Sequence, residues 1–164
     1  MKKQFSLGFM LLGVTILLAA CGQSAKAATN QRTLNVAVST EASSLDPAHA
    51  VDATSGGILQ QIMTPLYDHD QSGKIVPAMA TKVVKPTNNG KTYTLTLRRD
   101  AKWSDGTPVT AKDFVYSLKR IVDPKTKTEF AYQYDAIANY QDIVAGKKSP
   151  DTLGVSAPSK YVLK

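Results

Sequence analysis

The stretch that most narrows what this chain can fold into is residues 93–124, YTLTLRRDAKWSDGTPVTAKDFVYSLKRIVDP. It opens with a period of two: Tyr93, Leu95 and Leu97 face one way, and Thr94, Thr96 and Arg98 the other. Such alternation in β-favouring residues predicts a strand buried on one side. Arg99 and Asp100 end it, and Ser104-Asp105-Gly106 is turn chemistry, because glycine reaches positive φ without a steric penalty. Thr110 is placed to cap a helix: its hydroxyl can accept from the amide of Asp113, whose carboxylate can reach back. Phe114, Val115, Leu118, Ile121 and Val122 then recur on one face at helical spacing. Lys119 and Arg120 lie where the helix dipole favours cations, and Asp123-Pro124 stops the helix. The prediction is a strand, a tight loop and an amphipathic helix.

The same residues carry a resemblance. The run KWSDGTPVTAKDFVYS, followed by Arg120 and by Asp123-Pro124, closely resembles the signature of the extracytoplasmic solute-binding proteins of peptide importers. These are the oligopeptide-binding proteins of ABC transporters. Ser44-Leu45-Asp46-Pro47 resembles the same family, and Pro77-Ala78-Met79-Ala80 matches its Pro-Ala-x-Ala element. Gly146-Lys147-Lys148 with Leu153-Gly154-Val155 resembles the oligopeptide branch more than the dipeptide, nickel or haem branches. The resemblance implies a mixed α/β fold, a partial periplasmic-binding-protein-like (type II) two-lobed architecture with only the N-terminal portion present. Members of the family are much longer than this chain.

Length and composition agree with a single domain. The 164 residues allow one, and 43% apolar content allows it a core. The formal charge is +7; without Lys2 and Lys3 there remain 18 basic and 13 acidic residues. Those charges are scattered rather than gathered on one aromatic-laced face, which argues against a nucleic-acid partner. One cysteine excludes a disulfide within the chain. His49 and His69 have no second Cys or His at ligand spacing, so neither a metal nor another cofactor is expected.

Residues 1–20 read as a signal peptide. Lys2 and Lys3 form its positive start, and an apolar run over 5–18 is broken only by Ser6, Gly8, Gly13 and Thr15. The run is short for a membrane span, and Ala19-Ala20 suits cleavage. Leu18-Ala19-Ala20-Cys21 resembles the lipobox of bacterial lipoproteins, which implies that Cys21 becomes diacylglyceryl-modified and N-terminal. Each buried methylene is worth about 0.8 kcal/mol, so two or three acyl chains make a durable anchor. An uncleaved signal anchor with an incidental Cys21 is the alternative. Either way the chain is exported, to the outer face of the bacterial cytoplasmic membrane. Residues 21–32, small and polar, predict a flexible tether. Residues 33–164 are then the N-terminal portion of the solute-binding domain, incomplete at its C-terminus.

Within that portion, Leu34, Val36 and Val38 alternate and predict a strand over 33–39. Thr54 or Ser55 can cap a helix that buries Ile58, Leu59, Ile62 and Met63, ended by Pro65. Gln71-Ser72-Gly73 predicts a turn before an edge strand entering 76–80. Val83-Val84 and residues 93–97 are expected to pair as a hairpin around Asn88-Asn89-Gly90. Gly90-Lys91-Thr92 imitates the tail of a phosphate loop, but Lys85 occupies the place of its first glycine, so nucleotide binding is rejected. Residues 125–134 read as an aromatic loop with Phe130, Tyr132 and Tyr134. Ile137, Tyr140, Ile143 and Val144 suggest a short helix ending at Gly146, followed by a turn over 147–154. Residues 155–164 read as two strand pieces around Pro158-Ser159-Lys160.

No catalytic residue emerges. Two histidines give no convincing Ser-His-Asp set, there is no G-x-S-x-G elbow, and Asp100 and Asp105 beside Trp103 read as turn caps. The chain is therefore expected not to be an enzyme. In the resembled family two lobes close on an extended peptide and satisfy its backbone much as an added strand would. The resemblance implies that Phe130 lines the peptide groove, where the family often has tyrosine, and that the loop 51–54 runs beside the peptide. A family acid falls on Val51, with Asp52 next to it, so Val51, Asp52 and Thr54 are the candidates there. The carboxylate that captures the peptide's α-amino group belongs to a later part of such proteins. The 164-residue chain alone is accordingly expected to bind peptide weakly or not at all. The implied partners are oligopeptides, the permease and ATPase subunits of an importer, and the membrane through the lipid anchor, with the receptor a monomer. The competing reading is a truncated surface lipoprotein or decayed gene fragment without peptide binding.

Overall fold

The computed structural model of the protein describes residues 34–164. The predicted signal peptide, Cys21 and the tether lie outside the described residues. The chain divides into Met1–Ala37, of which only residues 34–37 are described, and a compact unit Val38–Lys164. The strand expected over 33–39 is not formed: residues 34–38 are coil, and Leu34, Val36 and Val38 are all exposed. A strand needs a neighbour for its backbone groups, and among the described residues none pairs with this segment.

Helix α1 (Ala53–Ile62) forms where the sequence places one, with a different cap. Asp52 caps it, its carboxylate accepting from the Ser55 amide at 2.8 Å; Thr54 and Ser55 lie inside the first turn. The buried side also differs. Ser55 is fully buried, Ile58 and Leu59 are half-buried, and Ile62 and Met63 are exposed. The first turn is anchored by polar bonds, which leaves its apolar end open. Met63 ends the helix in extended backbone, and beyond Pro65 the chain enters the antiparallel hairpin β1 (Tyr67–His69) and β2 (Ile75–Pro77). Its turn is the predicted one: Gly73 has φ +79°, and the Asp70 carboxylate accepts from the amides of Ser72 and Lys74 at 2.9 and 3.0 Å.

The predicted strand over 93–97 is laddered only at β3 (Leu95–Thr96), and its partner is β4 (Val162–Leu163), with Leu95 opposite Leu163. The turn at 88–90 is as expected, since Asn88, Asn89 and Gly90 all have positive φ and Thr87 bridges Thr92. Its arms then part. The Val84 amide donates to the Tyr67 hydroxyl at 3.3 Å, and Ala80 rather than Val83-Val84 reaches the strand, bridging Leu97. Leu95 and Leu97 are buried as the alternation predicts, while Tyr93 is exposed.

Helix α2 (Ala111–Val122) is the spine of the compact unit. The Asp113 carboxylate accepts from the Thr110 amide at 2.6 Å and its hydroxyl at 2.9 Å, closing the N-terminus, and Asp123 ends the helix before Pro124. Its first half packs Ala111, Phe114 and Val115 against Ala80, Leu95, Leu97 and Leu163. Its second half packs Leu118, Ile121 and Val122 against Tyr140, Ile143 and Leu153. Helix α3 (Tyr140–Val144) supplies two of those residues and stops at Gly146, whose φ is +71°. Residues 130–134 form a 3₁₀ turn over Ala131–Tyr134 rather than an irregular loop, so Tyr132 points to solvent and Tyr134 is half-buried.

Candidate functional site

The loop before α1 and the end of α2 are joined by one carboxylate. Asp46 accepts from both terminal nitrogens of Arg120, at 2.8 and 2.5 Å, from the Ala48 amide at 3.0 Å and from the His49 ring at 3.1 Å. A planar guanidinium meeting a carboxylate with two parallel bonds is the most directional ion pair available to side chains. The Arg120 hydrogen bonds, then the Ala48 amide, hold the Asp46 carboxyl well below the usual carboxylate range. The other His49 nitrogen lies 2.8 Å from the carbonyl of Thr126, whose hydroxyl donates to the Arg120 carbonyl at 2.6 Å. Loop, helix end and the 3₁₀ turn Pro124–Thr126 are thus fastened as one clamp.

Asp52 makes a second knot. Its carboxylate accepts from the amide and hydroxyl of Ser43 at 3.2 and 2.5 Å, and from those of Ser55 at 2.8 and 2.6 Å. These bonds, Ser43's first, hold its pKa well below the ordinary value. Thr54 and Thr40 share a hydroxyl bond at 3.0 Å, and the Val51 side chain is exposed. Phe130 is half-buried at the start of its 3₁₀ turn, its amide donating to the Thr128 hydroxyl at 3.1 Å. The clamp therefore ties together the two stretches that carry the candidate residues. Among the described residues no hydrogen bond links Val51, Asp52 or Thr54 directly to Phe130.

Asp100 and Asp105 are each occupied nearby. Asp100 pairs with Arg98 at 2.8 and 3.1 Å, and Asp105 accepts from the Thr107 amide and hydroxyl at 2.8 and 2.7 Å. Both are held below the usual carboxylate range by those bonds, so neither is a proton donor at neutral pH. Among the described residues no group of three or more His, Cys, Asp or Glu is arranged to hold a metal. This is the chemistry of a surface held in shape, with its carboxylates ionised and satisfied.

Sequence reasoning about the site passed over Asp46, His49 and Arg120. The signal was nonetheless present: Ser44-Leu45-Asp46-Pro47 and the Arg120…Asp123-Pro124 ending are two separate fragments of the family resemblance, and in space they are the two halves of the clamp.

Residues 74–164 match the family model of bacterial extracellular solute-binding proteins, family 5 (middle). The chain belongs to that family. It is 37% identical over its whole length to the oligopeptide-binding protein OppA of Bacillus subtilis, and 46% identical over 76% of its length to the periplasmic murein peptide-binding protein MppA of Escherichia coli. It spans 31% and 23% of those two relatives. Among solved structures, Listeria monocytogenes OppA bound to peptide superposes with a TM-score of 0.76 at 43% identity, covering 79% of this chain and 26% of that one. The pheromone receptor PrgZ gives 0.75 at 45% identity, covering 77% of this chain and 25% of its own. The fold is accordingly mixed α/β and a partial domain of that receptor type.

Proposed function

We propose that this chain is the N-terminal part of an exported, lipid-anchored receptor that captures oligopeptides and hands them to an ABC importer. The observation that carries the reading is the likeness to a peptide-bound receptor over four-fifths of the chain. In this reading residues 1–20 are removed on export, Cys21 bears the acyl anchor, 21–32 are the tether and 33–164 begin the binding domain. The receptor is a monomer and not an enzyme, its partners being the permease and ATPase of the importer. Val51, Asp52 and Thr54 lie along the peptide, and Phe130 gives it an apolar wall. Asp52 serves by shaping the loop, since its oxygens already accept from Ser43 and Ser55.

Deleting the gene that encodes the chain, in its own host, is expected to abolish growth on a pentapeptide supplied as the sole source of a required amino acid. Growth that continues unchanged overturns the reading. Cys21→Ala is expected to release the product from the membrane and abolish its labelling by radioactive palmitate.

A further inference from the structure

His49 is met at both ring nitrogens by groups that only accept. Its Nδ1 stands 3.1 Å from a carboxylate oxygen of Asp46, and its Nε2 stands 2.8 Å from the backbone carbonyl of Thr126, 77 positions away. A neutral imidazole has one N–H and one lone pair. In either tautomer it donates to one of these oxygens and turns its lone pair on the other. Only the imidazolium donates to both. Asp46 does not supply the missing proton, because the bonds from Arg120 and the Ala48 amide keep its carboxyl ionised. The bridge is complete when His49 has taken a proton from solvent.

The charges around the ring come from three elements. On its own loop, Asp46 faces Nδ1 directly, and Asp52 is occupied by Ser43 and Ser55. From α2, Arg120 brings a positive charge to the same Asp46 carboxylate, which its two parallel bonds largely offset. The turn Pro124–Thr126 brings the Thr126 carbonyl. Lys125 and Lys127 flank it at exposed positions, where water and salt screen them, and the Asp123 carboxylate accepts from the Lys125 amide at 2.9 Å. The two acceptors are in hydrogen-bond contact with the ring, while the cations act through solvent or through Asp46. A proton on His49 therefore closes the bridge rather than breaking it. The bridge joins the loop that runs on into Val51, Asp52 and Thr54 to the turn that leads into Phe130.

We propose that His49 is a proton-operated latch, whose imidazolium pins the loop at Asp46 to the turn at Thr126 and so fixes the spacing of the two stretches that carry the candidate peptide residues. The latch is shut in mild acid and opens as pH rises through the histidine range; below the carboxylate range it is lost with the charge of Asp46. It rests on the clamp alone and stands whether or not peptide capture does. Hydrogen exchange of the 164-residue chain, resolved to single amides and corrected for the intrinsic effect of pH, reads it directly. Between pH 7.5 and 5.5 the side chains whose ordinary titration falls in the interval are His49 and His69. The amides of Ala48, His49, Thr126 and Lys127, each bonded within the loop or the turn, are expected to be about two- to fivefold better protected at pH 5.5, the range of an exposed ion pair. His49→Gln is expected to abolish the difference and His69→Gln, in β1, to leave it intact, with folding checked by circular dichroism. A second reading needs no variant: at pH 5.5 both ring N–H protons of His49 should exchange more slowly than those of His69. The proposal is overturned by equal protection at the two pH values, by a difference that survives His49→Gln or disappears in His69→Gln, or by ring protons that exchange alike in the two histidines.

Discussion

Between the loop over residues 43–55 and the two clusters around α2, what holds the chain together changes in kind. In the loop and first turn of α1 only Ala48 and Ser55 are fully buried, and order comes from the carboxylates of Asp46 and Asp52. Around α2 the buried residues are Leu95, Leu97, Val122, Ile143 and their neighbours, and charge plays little part in their cohesion. Burial of that kind contributes roughly 25 cal/mol per Å² of apolar surface, whereas exposed ion pairs contribute about 0–1 kcal/mol each. The contrast predicts a loop that loosens first in acid and clusters that yield to denaturant. Val51, Asp52 and Thr54 lie within that loop and first turn.

That contrast can be broken most forcefully at Ile143, which is fully buried between α2 and α3. Ile143→Ala should cost about 2–5 kcal/mol, read from the urea midpoint, because it removes methylenes and leaves a cavity. A loss below about 0.5 kcal/mol would show that the helical cluster is not what stabilises the unit.

Gly154 tests packing at the same place from the opposite direction. A β-carbon there would stand 2.7 Å from that of Ala138, with the backbone pinned by the Gly154 amide on the Ala138 carbonyl at 2.9 Å. Gly154→Ala should therefore destabilise by about 1–3 kcal/mol through overpacking. An unchanged melting temperature would mean that the neighbouring segments yield freely.

Asp46→Asn sharpens the contrast from the polar side. The pair with Arg120 is about one-third exposed, so the global cost should be only about 1 kcal/mol. Hydrogen exchange should nevertheless quicken selectively in residues 43–55 and leave the Ile143 cluster protected. Uniform quickening would dissolve the distinction between the regions.

Acid should do the same more gently. Asp46 and Asp52 are both held below their ordinary value, so their stabilisation is complete above the unfolded carboxyl pKa of about 3.9 and is lost as pH falls beneath it. Local exchange in the loop is expected to rise below about pH 4, before the clusters open. Simultaneous opening of both regions would count against it.

Much of this was legible beforehand, and the legible parts share a property. The Thr110–Asp113 closure, the turns at Gly73, Gly90 and Gly106, and the stops at Asp123 and Gly146 all involve residues within a few positions of one another. The same holds for the buried side of Leu95 and Leu97, a matter of alternation alone. At the candidate site, the loop and the helix start were visible. That Asp52 rather than Thr54 or Ser55 would cap α1 was not, because all three are good caps and the choice depends on Ser43 reaching the same carboxylate.

What the residues determined unaided, then, is the set of local pieces and the family they belong to. Tertiary structure decided the pairing: Leu95 with Leu163, Asp46 with Arg120 across 74 positions, and residues 34–38 with nothing among the described residues. The physical reason is that turns and caps are closed by bonds over two to four residues, whose partners are written side by side. A ladder or an ion pair between distant segments is chosen only when the apolar faces of α2 bring those segments together, and no periodicity in the chain records that meeting.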